Sequence, residues 1–213
     1  MKRVYKVGAV FGVICVVSVG LLVSLQFVAL DDFNWHVEID DTFQFEFESW
    51  GNSSLGALSP LEVREILNLN GTIILARVTN LPPLVGPIDS SKFLDRILLE
   101  TKINCTFVNG TYLMQEIETI LCSAISGCIL PLGSWSVIES LFPQDVPSWR
   151  PNEEHIATRL FEDHLHIEWV WFGSFDSSGG WSGNVSLTTG TPNQVMWRYT
   201  HSGTVFIELT LTE

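Results

Sequence analysis

Residues Val7–Leu30 read VGAVFGVICVVSVGLLVSLQFVAL, a run without one charge in which Ser18, Ser24 and Gln26 are the only strongly polar members. As a helix it spans ~36 Å, enough to cross a hydrocarbon core of about 30 Å with some tilt. Lys2, Arg3 and Lys6 precede it, and Asp31 and Asp32 follow it. Basic flanks stay in the cytoplasm, so the asymmetry predicts a single-pass cell-membrane protein with its N-terminus inside and residues 31–213 outside.

A cleaved signal peptide is the rival reading. Its apolar region is usually 7–15 residues long and closes on a small-x-small site. Here the run is longer and ends in Phe27-Val28-Ala29-Leu30. The expected organisation is therefore an uncleaved signal-anchor over residues 1–30 and one extracytoplasmic domain over residues 31–213. Cys15 follows the bulky Ile14 inside the run and reads as apolar filler rather than a lipidation site.

Charge narrows the partners. The first 30 residues hold three basic groups and no acidic one, which leaves 8 basic and all 24 acidic residues in the remainder, a net charge of −16. Such a domain is repelled by nucleic acid and by anionic headgroups. No nucleic-acid partner is expected, and the membrane is engaged through residues 7–30. Five glycosylation sequons begin at Asn52, Asn70, Asn104, Asn109 and Asn184; composition alone predicts about 1.6. The excess fits a glycoprotein and agrees with the compartment.

From Trp35 to Glu48 the odd positions Trp35, Val37, Ile39, Phe43, Phe45 and Phe47 are apolar and the even ones polar, a period-2 strand interrupted only by Asp41. Glu62–Leu69 and Thr72–Thr79 flank Asn70-Gly71 and read as a hairpin. A helix is expected from Ser90 or Ser91 to Glu100, a strand over Ile103–Val108 and a turn at Asn109-Gly110. Leu113–Ser126 repeats apolar residues at 113, 117, 120, 121 and 124 and reads as a helix ended by Gly127. A shorter helix covers Ser134–Phe142. Asn152–Phe161 fits helix or strand. The remainder is strand: His164–Phe175, Asn184–Thr188, Gln194–Tyr199 and Thr204–Thr212, with a Ser/Gly turn before Asn184. The class is α+β: a large antiparallel sheet of meander hairpins, two to three helices inserted mid-chain against its buried face, and one N-terminal transmembrane helix ahead of it.

Cys105, Cys122 and Cys128 lie outside the membrane, an odd number that suits one disulfide and one spare thiol. If Asn109-Gly110 reverses the chain, rise along the helix brings Cys122 level with Cys105. Direction argues otherwise, because at ~100° per residue Cys122 points away from the apolar stripe. Cys128 lies past Gly127, where the backbone is free to turn. The expected bridge is Cys105–Cys128, with Cys122 unpaired.

Several stretches carry a likeness to known chains. These are the anchor, the opening Asp41-Thr42-Phe43-Gln44-Phe45-Glu46, the Asn-Gly turns, Cys128-Ile129-Leu130-Pro131 ahead of a Trp-bearing helix, and the closing Trp-Ser-Gly-Asn…Thr-Thr-Gly meander. Together they make the chain resemble uncharacterised membrane-anchored surface proteins of archaea, in which a glycine often stands where Asp40 is. The resemblance implies location and brings no activity.

One arrangement could carry chemistry. On a strand, Glu162, His164, His166 and Glu168 share a face while Leu165, Ile167, Trp169 and Trp171 share the other. Two imidazoles and a carboxylate could ligate zinc or a related metal, although a structural site wants four ligands and a solvated strand face accounts for the same pattern. No metal or other cofactor is expected. Gly180-Trp181-Ser182-Gly183-Asn184 misses the nucleophile elbow, since Asn184 replaces its last glycine and a strand follows. Asp176-Ser-Ser-Gly-Gly lacks the regular carboxylates of a calcium loop. Walker and dinucleotide fingerprints are absent.

Eight tryptophans remain, all outside the anchor. Trp35, Trp169 and Trp197 fall on apolar strand faces. Trp50, Trp149 and Trp181 fall in loop-like contexts, where an exposed ring could serve a glycan or a protein partner. The sequence holds no coherent catalytic set, so the expected role is an anchored binding or interaction module of unknown ligand. The alternatives are a carrier of an apolar ligand in a sheet-and-helix cavity and a metal-dependent enzyme using His164, His166 and Glu168.

The anchor is tested by topology. Protein purified from membranes should resist carbonate extraction and retain Met1 or Lys2 at its N-terminus; a mature terminus near Asp31 in a soluble fraction would overturn the reading.

Overall fold

Alternating apolar positions are realised as one eight-stranded sheet, seen in a computed structural model that describes residues 33–51, 60–84, 96–133, 135–140, 153–173, 177–200 and 204–212. The strands are β1 (Thr42–Gly51), β2 (Thr72–Asn80), β3 (Lys102–Phe107), β4 (Glu153–Leu160), β5 (His164–Phe172), β6 (Ser178–Ser186), β7 (Pro192–Thr200) and β8 (Thr204–Leu211). Their order is β3-β2-β1-β8-β7-β6-β5-β4, and every neighbouring pair is antiparallel. Helices are α1 (Pro60–Asn68), α2 (Gln115–Gly127) and α3 (Trp135–Ser140), and residues 96–100 are also helical. The α+β class with a large antiparallel sheet is thus observed. The run Val7–Leu30 lies outside the described residues, among which no helix is long and apolar enough to cross a membrane.

The topology explains where the helices go. β3 and β4 are the two edges, so the connection between them must travel the width of the sheet. It does so as α2, which packs on β3, β6 and β7, and as α3, which packs on β4. Cys122 meets Cys105 of β3, while Gly127 meets Trp181 of β6. Those two helix positions are only ~7.5 Å apart in rise, yet β3 and β6 are five strand spacings apart, ~24 Å on a flat sheet. The sheet therefore curls around α2. Phe45, Phe47, Ile74, Leu165 and Ile167 from the sheet, with Leu121 and Ile125 from α2, form the fully buried interior. Each contributes about 1.5–3 kcal/mol by burial.

Several expectations change. The first strand begins at Thr42 rather than Trp35, because Asp40 takes a left-handed conformation (φ 81°) and breaks the run. Backbone bonds from Asp40 N–H to Val78 O (2.9 Å) and from Val78 N–H to Asp41 O (2.9 Å) hold that corner. Asn70-Gly71 is no strand-to-strand hairpin: Pro60–Asn68 is a helix, with Pro at its first position and Ile66 and Leu67 turned to the core. Asn70 Oδ1 instead accepts from Ser49 N–H at 2.8 Å and fastens the helix exit to β1. Glu153–Leu160 resolves as strand. The glycines expected to form a turn before Asn184 lie inside β6, where the missing side chains admit the ring of Trp171, the backbone of Trp169 and the thiol of Cys128 against the strand.

The turn between β6 and β7 docks on the segment that leaves α2. Leu130 N–H donates to Gly190 O (2.8 Å), and Gly190 N–H donates to Ser186 O (2.9 Å). Gly190 has φ 69°, and a Cβ there would lie 2.1 Å from Leu130 O, a backbone atom that cannot swing aside. Gly190→Ala should therefore lower unfolding free energy by about 2 kcal/mol or more, read as a lower urea midpoint with an unchanged slope.

Candidate functional site

Strand alternation places His164, His166 and Glu168 on the outer face of β5, away from α2, as the sequence pattern required. Register then sets His166 opposite Asn184 and Asn184 opposite Gln194. His166 Nδ1 meets Asn184 Oδ1 at 2.9 Å, Asn184 Nδ2 donates to Gln194 Oε1 at 3.0 Å, and Gln194 Nε2 donates to Glu208 Oε1. This row of four side chains runs across β5, β6, β7 and β8. His164 turns elsewhere: its Nδ1 meets Asp163 Oδ1 at 2.7 Å and its ring stacks on Phe161 at 4.7 Å. That hydrogen bond holds the exposed Asp163 carboxyl below its usual range. The two imidazoles do not converge, and among the described residues no three His, Cys, Asp or Glu side chains are grouped as a metal site.

The inner face offers a different feature. A cleft of about 300 Å³ opens between the end of α2, the helical residues 96–100 and strands β4–β6. Its floor is Trp169 and Trp181, whose rings stack at 6.4 Å, and Leu98, Leu99 and Ile156 add apolar walls. Ser123 and Gly127 of α2 form the opposite side, and Glu154 is the one charged group among the lining residues described. Gly127 is what lets the helix sit so close: a Cβ there would lie 2.2 Å from Trp181 Cζ2. Gly127 is thus the last residue of α2 and a packing residue, where the sequence suggested a terminating glycine beyond the helix.

The thiols depart from expectation. Cys105 and Cys122 face one another within hydrogen-bond contact, while Cys128 is fully buried beside Gly183, and all three are free. Cys122, not Cys128, is the thiol set beside Cys105, because the buried side of α2 is Ile117, Leu121, Ala124 and Ile125, with Ile120 only half-buried. That turns Glu118 and Cys122 toward β3. Burial alone pushes the Cys128 thiol far above its ordinary range.

Among the sequons, Asn70, Asn104 and Asn109 are exposed, Asn184 spends its amide nitrogen on Gln194, and Asn52 lies outside the described residues. Trp181, expected in a loop, is in β6 and 7% exposed; Trp50 is in β1, 41% exposed and stacked on Phe206; Trp149 lies outside the described residues. The His166–Glu208 row and the Trp169–Trp181 cleft escaped sequence reading because both need cross-strand register, which no local spacing reveals. No protein-family model, curated protein or solved structure matches the chain.

With both imidazoles engaged by other side chains, zinc bound to the purified full chain should fall well below one per molecule by elemental analysis. Stoichiometric zinc lost in His166→Ala would show that the outer face rearranges into a metal site.

Proposed function

We propose that the chain is a membrane-anchored extracytoplasmic binding module and that the tryptophan-floored cleft takes its ligand, a small uncharged or cationic group with an apolar or aromatic face. The observation that carries this reading is the pairing of Trp169 and Trp181 at the base of an open cleft walled by Leu98, Leu99 and Ile156. Aromatic floors give large contact area at low entropic cost, and a few polar groups at the margin fix orientation. Glu154 disfavours anions there. The apolar run at residues 7–30 supports the anchoring, and the exposed sequons at Asn70, Asn104 and Asn109 support the compartment. A glycan or a protein side chain could supply the apolar face.

A carrier of an apolar ligand is the second reading, favoured by the same walls. The cleft volume lies at the small end for bound ligands and its mouth opens to solvent, so capture of part of a larger partner fits better than enclosure. A metal-dependent enzyme built on His164, His166 and Glu168 draws less support, since each imidazole already has a partner.

Titration of the full chain in detergent micelles with the water-soluble aromatic cation phenyltrimethylammonium should give saturable 1:1 quenching of tryptophan fluorescence. Ser123→Trp, placed at an exposed helix position that lines the cleft, should fill it and weaken binding at least about tenfold. Unaltered binding in that variant, with an unchanged circular dichroism spectrum, would move the ligand site elsewhere.

A further inference from the structure

The two facing thiols lie on consecutive elements, strand β3 and helix α2. β3 is an edge strand whose one neighbour among the sheet strands is β2. Cys105 lies on its inner face and is fully buried; Cys122 lies on α2 and is half-buried, so one sulfur of the pair can be reached from solvent. The turn between the two elements is tightly held. Gly110 N–H donates to Phe107 O (2.8 Å), Phe107 N–H donates to Thr111 O (3.0 Å), and Asn109 Oδ1 accepts from Thr111 N–H (3.0 Å). A Thr106–Tyr112 bridge extends that pairing toward the helix start. The connection therefore presents Cys122 to Cys105 in a fixed geometry.

We propose that Cys105 and Cys122 are a redox-active pair that closes to a disulfide by exchange with a low-molecular-weight disulfide, pinning edge strand β3 to helix α2. The pair is chemically asymmetric in the direction exchange needs. The Cys105 thiol and backbone N–H both face the Cys122 sulfur and lower its pKa against burial and the Glu118 carboxylate, which raise it, whereas contact with Cys122, burial and Glu118 all push the Cys105 thiol up. Cys122, the less buried of the two, is the one an external disulfide can reach and therefore the one that attacks as its thiolate. Its thiolate displaces one thiolate from the external disulfide and forms a mixed disulfide. The Cys105 sulfur then attacks Cys122 Sγ, the second external thiolate leaves, and the Cys105 proton passes to it. Two protein thiols are oxidised, one external disulfide is reduced to two thiols, and no other oxidant is consumed. Cys128 takes no part, being fully buried beside Gly183.

The test uses the reduced full chain in detergent micelles, treated anaerobically with glutathione disulfide, quenched in acid, alkylated with N-ethylmaleimide in denaturant and digested without reductant. The expected products are a linked Cys105–Cys122 peptide, two reduced glutathiones released per chain, and alkylated Cys128. The oxidised protein should melt at least about 5 °C above the reduced one. Cys122→Ser should release no glutathione, leave Cys105 fully alkylated and abolish the shift. Cys105→Ser, if it folds, should stop at a glutathione adduct on Cys122. Recovery of Cys105 and Cys122 as separate alkylated peptides from oxidised wild type, a lasting glutathione adduct on wild-type Cys122, or any bridge to Cys128 would overturn the proposal.

Discussion

The pairing of β1 with β8 is the contact on which the rest of the structure depends. It joins strands from opposite ends of the described chain, with Phe45 opposite Leu211 and Trp50 opposite Phe206. On one side lies the meander β1-β2-β3, and on the other the meander β8-β7-β6-β5-β4. Each half alone would present a long unpaired edge at its join, the kind of edge that invites association with other chains. Paired, they form one surface wide enough to curl around a helix. Phe47, fully buried, stands opposite Leu209 at that seam, so the hydrogen-bonded join is also an apolar one.

Helix α2 is the second requirement. A curled sheet has a concave face that must be filled, and the connection from edge β3 to edge β4 supplies the filling because it has to cross that face. The filling is uneven. Toward β3 the fit is close and brings Cys122 onto Cys105. At the far end, α2 stops at Gly127 and leaves Trp169 and Trp181 lining an open cleft. Both features singled out as chemically distinctive are thus consequences of one helix laid across one sheet.

The outer face behaves differently. Its polar side chains, His166, Asn184, Gln194 and Glu208, satisfy one another across four strands rather than reaching for a common ligand. Closed rows of this kind fix register, since a slip of one residue would move every member to the opposite face. Of the histidines that suggested metal chemistry, His166 is therefore held in the sheet's own pairing and His164 by its neighbours Asp163 and Phe161.

Local pattern determined much of the architecture. Alternation named β5, β7 and β8 and the inward faces of Phe43, Phe45 and Phe47; Asn109-Gly110 marked a true reversal; and the apolar repeat from Leu113 marked α2. Where two local signals competed, the sequence misled. Asn70-Gly71 looked like a hairpin because its flanks are apolar, yet the first flank has the Pro60 start and i, i+3, i+4 spacing of Val63, Ile66 and Leu67 that suit a helix. The phase of α2 was misread by part of a turn because the sheet buries it from more than one side, widening its apolar arc to include Ile125. That phase pointed Cys122 away from β3, whereas in the structure it lies beside Cys105. Sequence by itself determined the class, most strands and the facing of side chains along β1, β5 and β8, since those follow from a period of 2 residues. Only the tertiary structure decided which strands are neighbours, how far the sheet curls and which thiols and tryptophans meet, because those depend on pairing between residues up to 166 positions apart, such as Phe45 and Leu211.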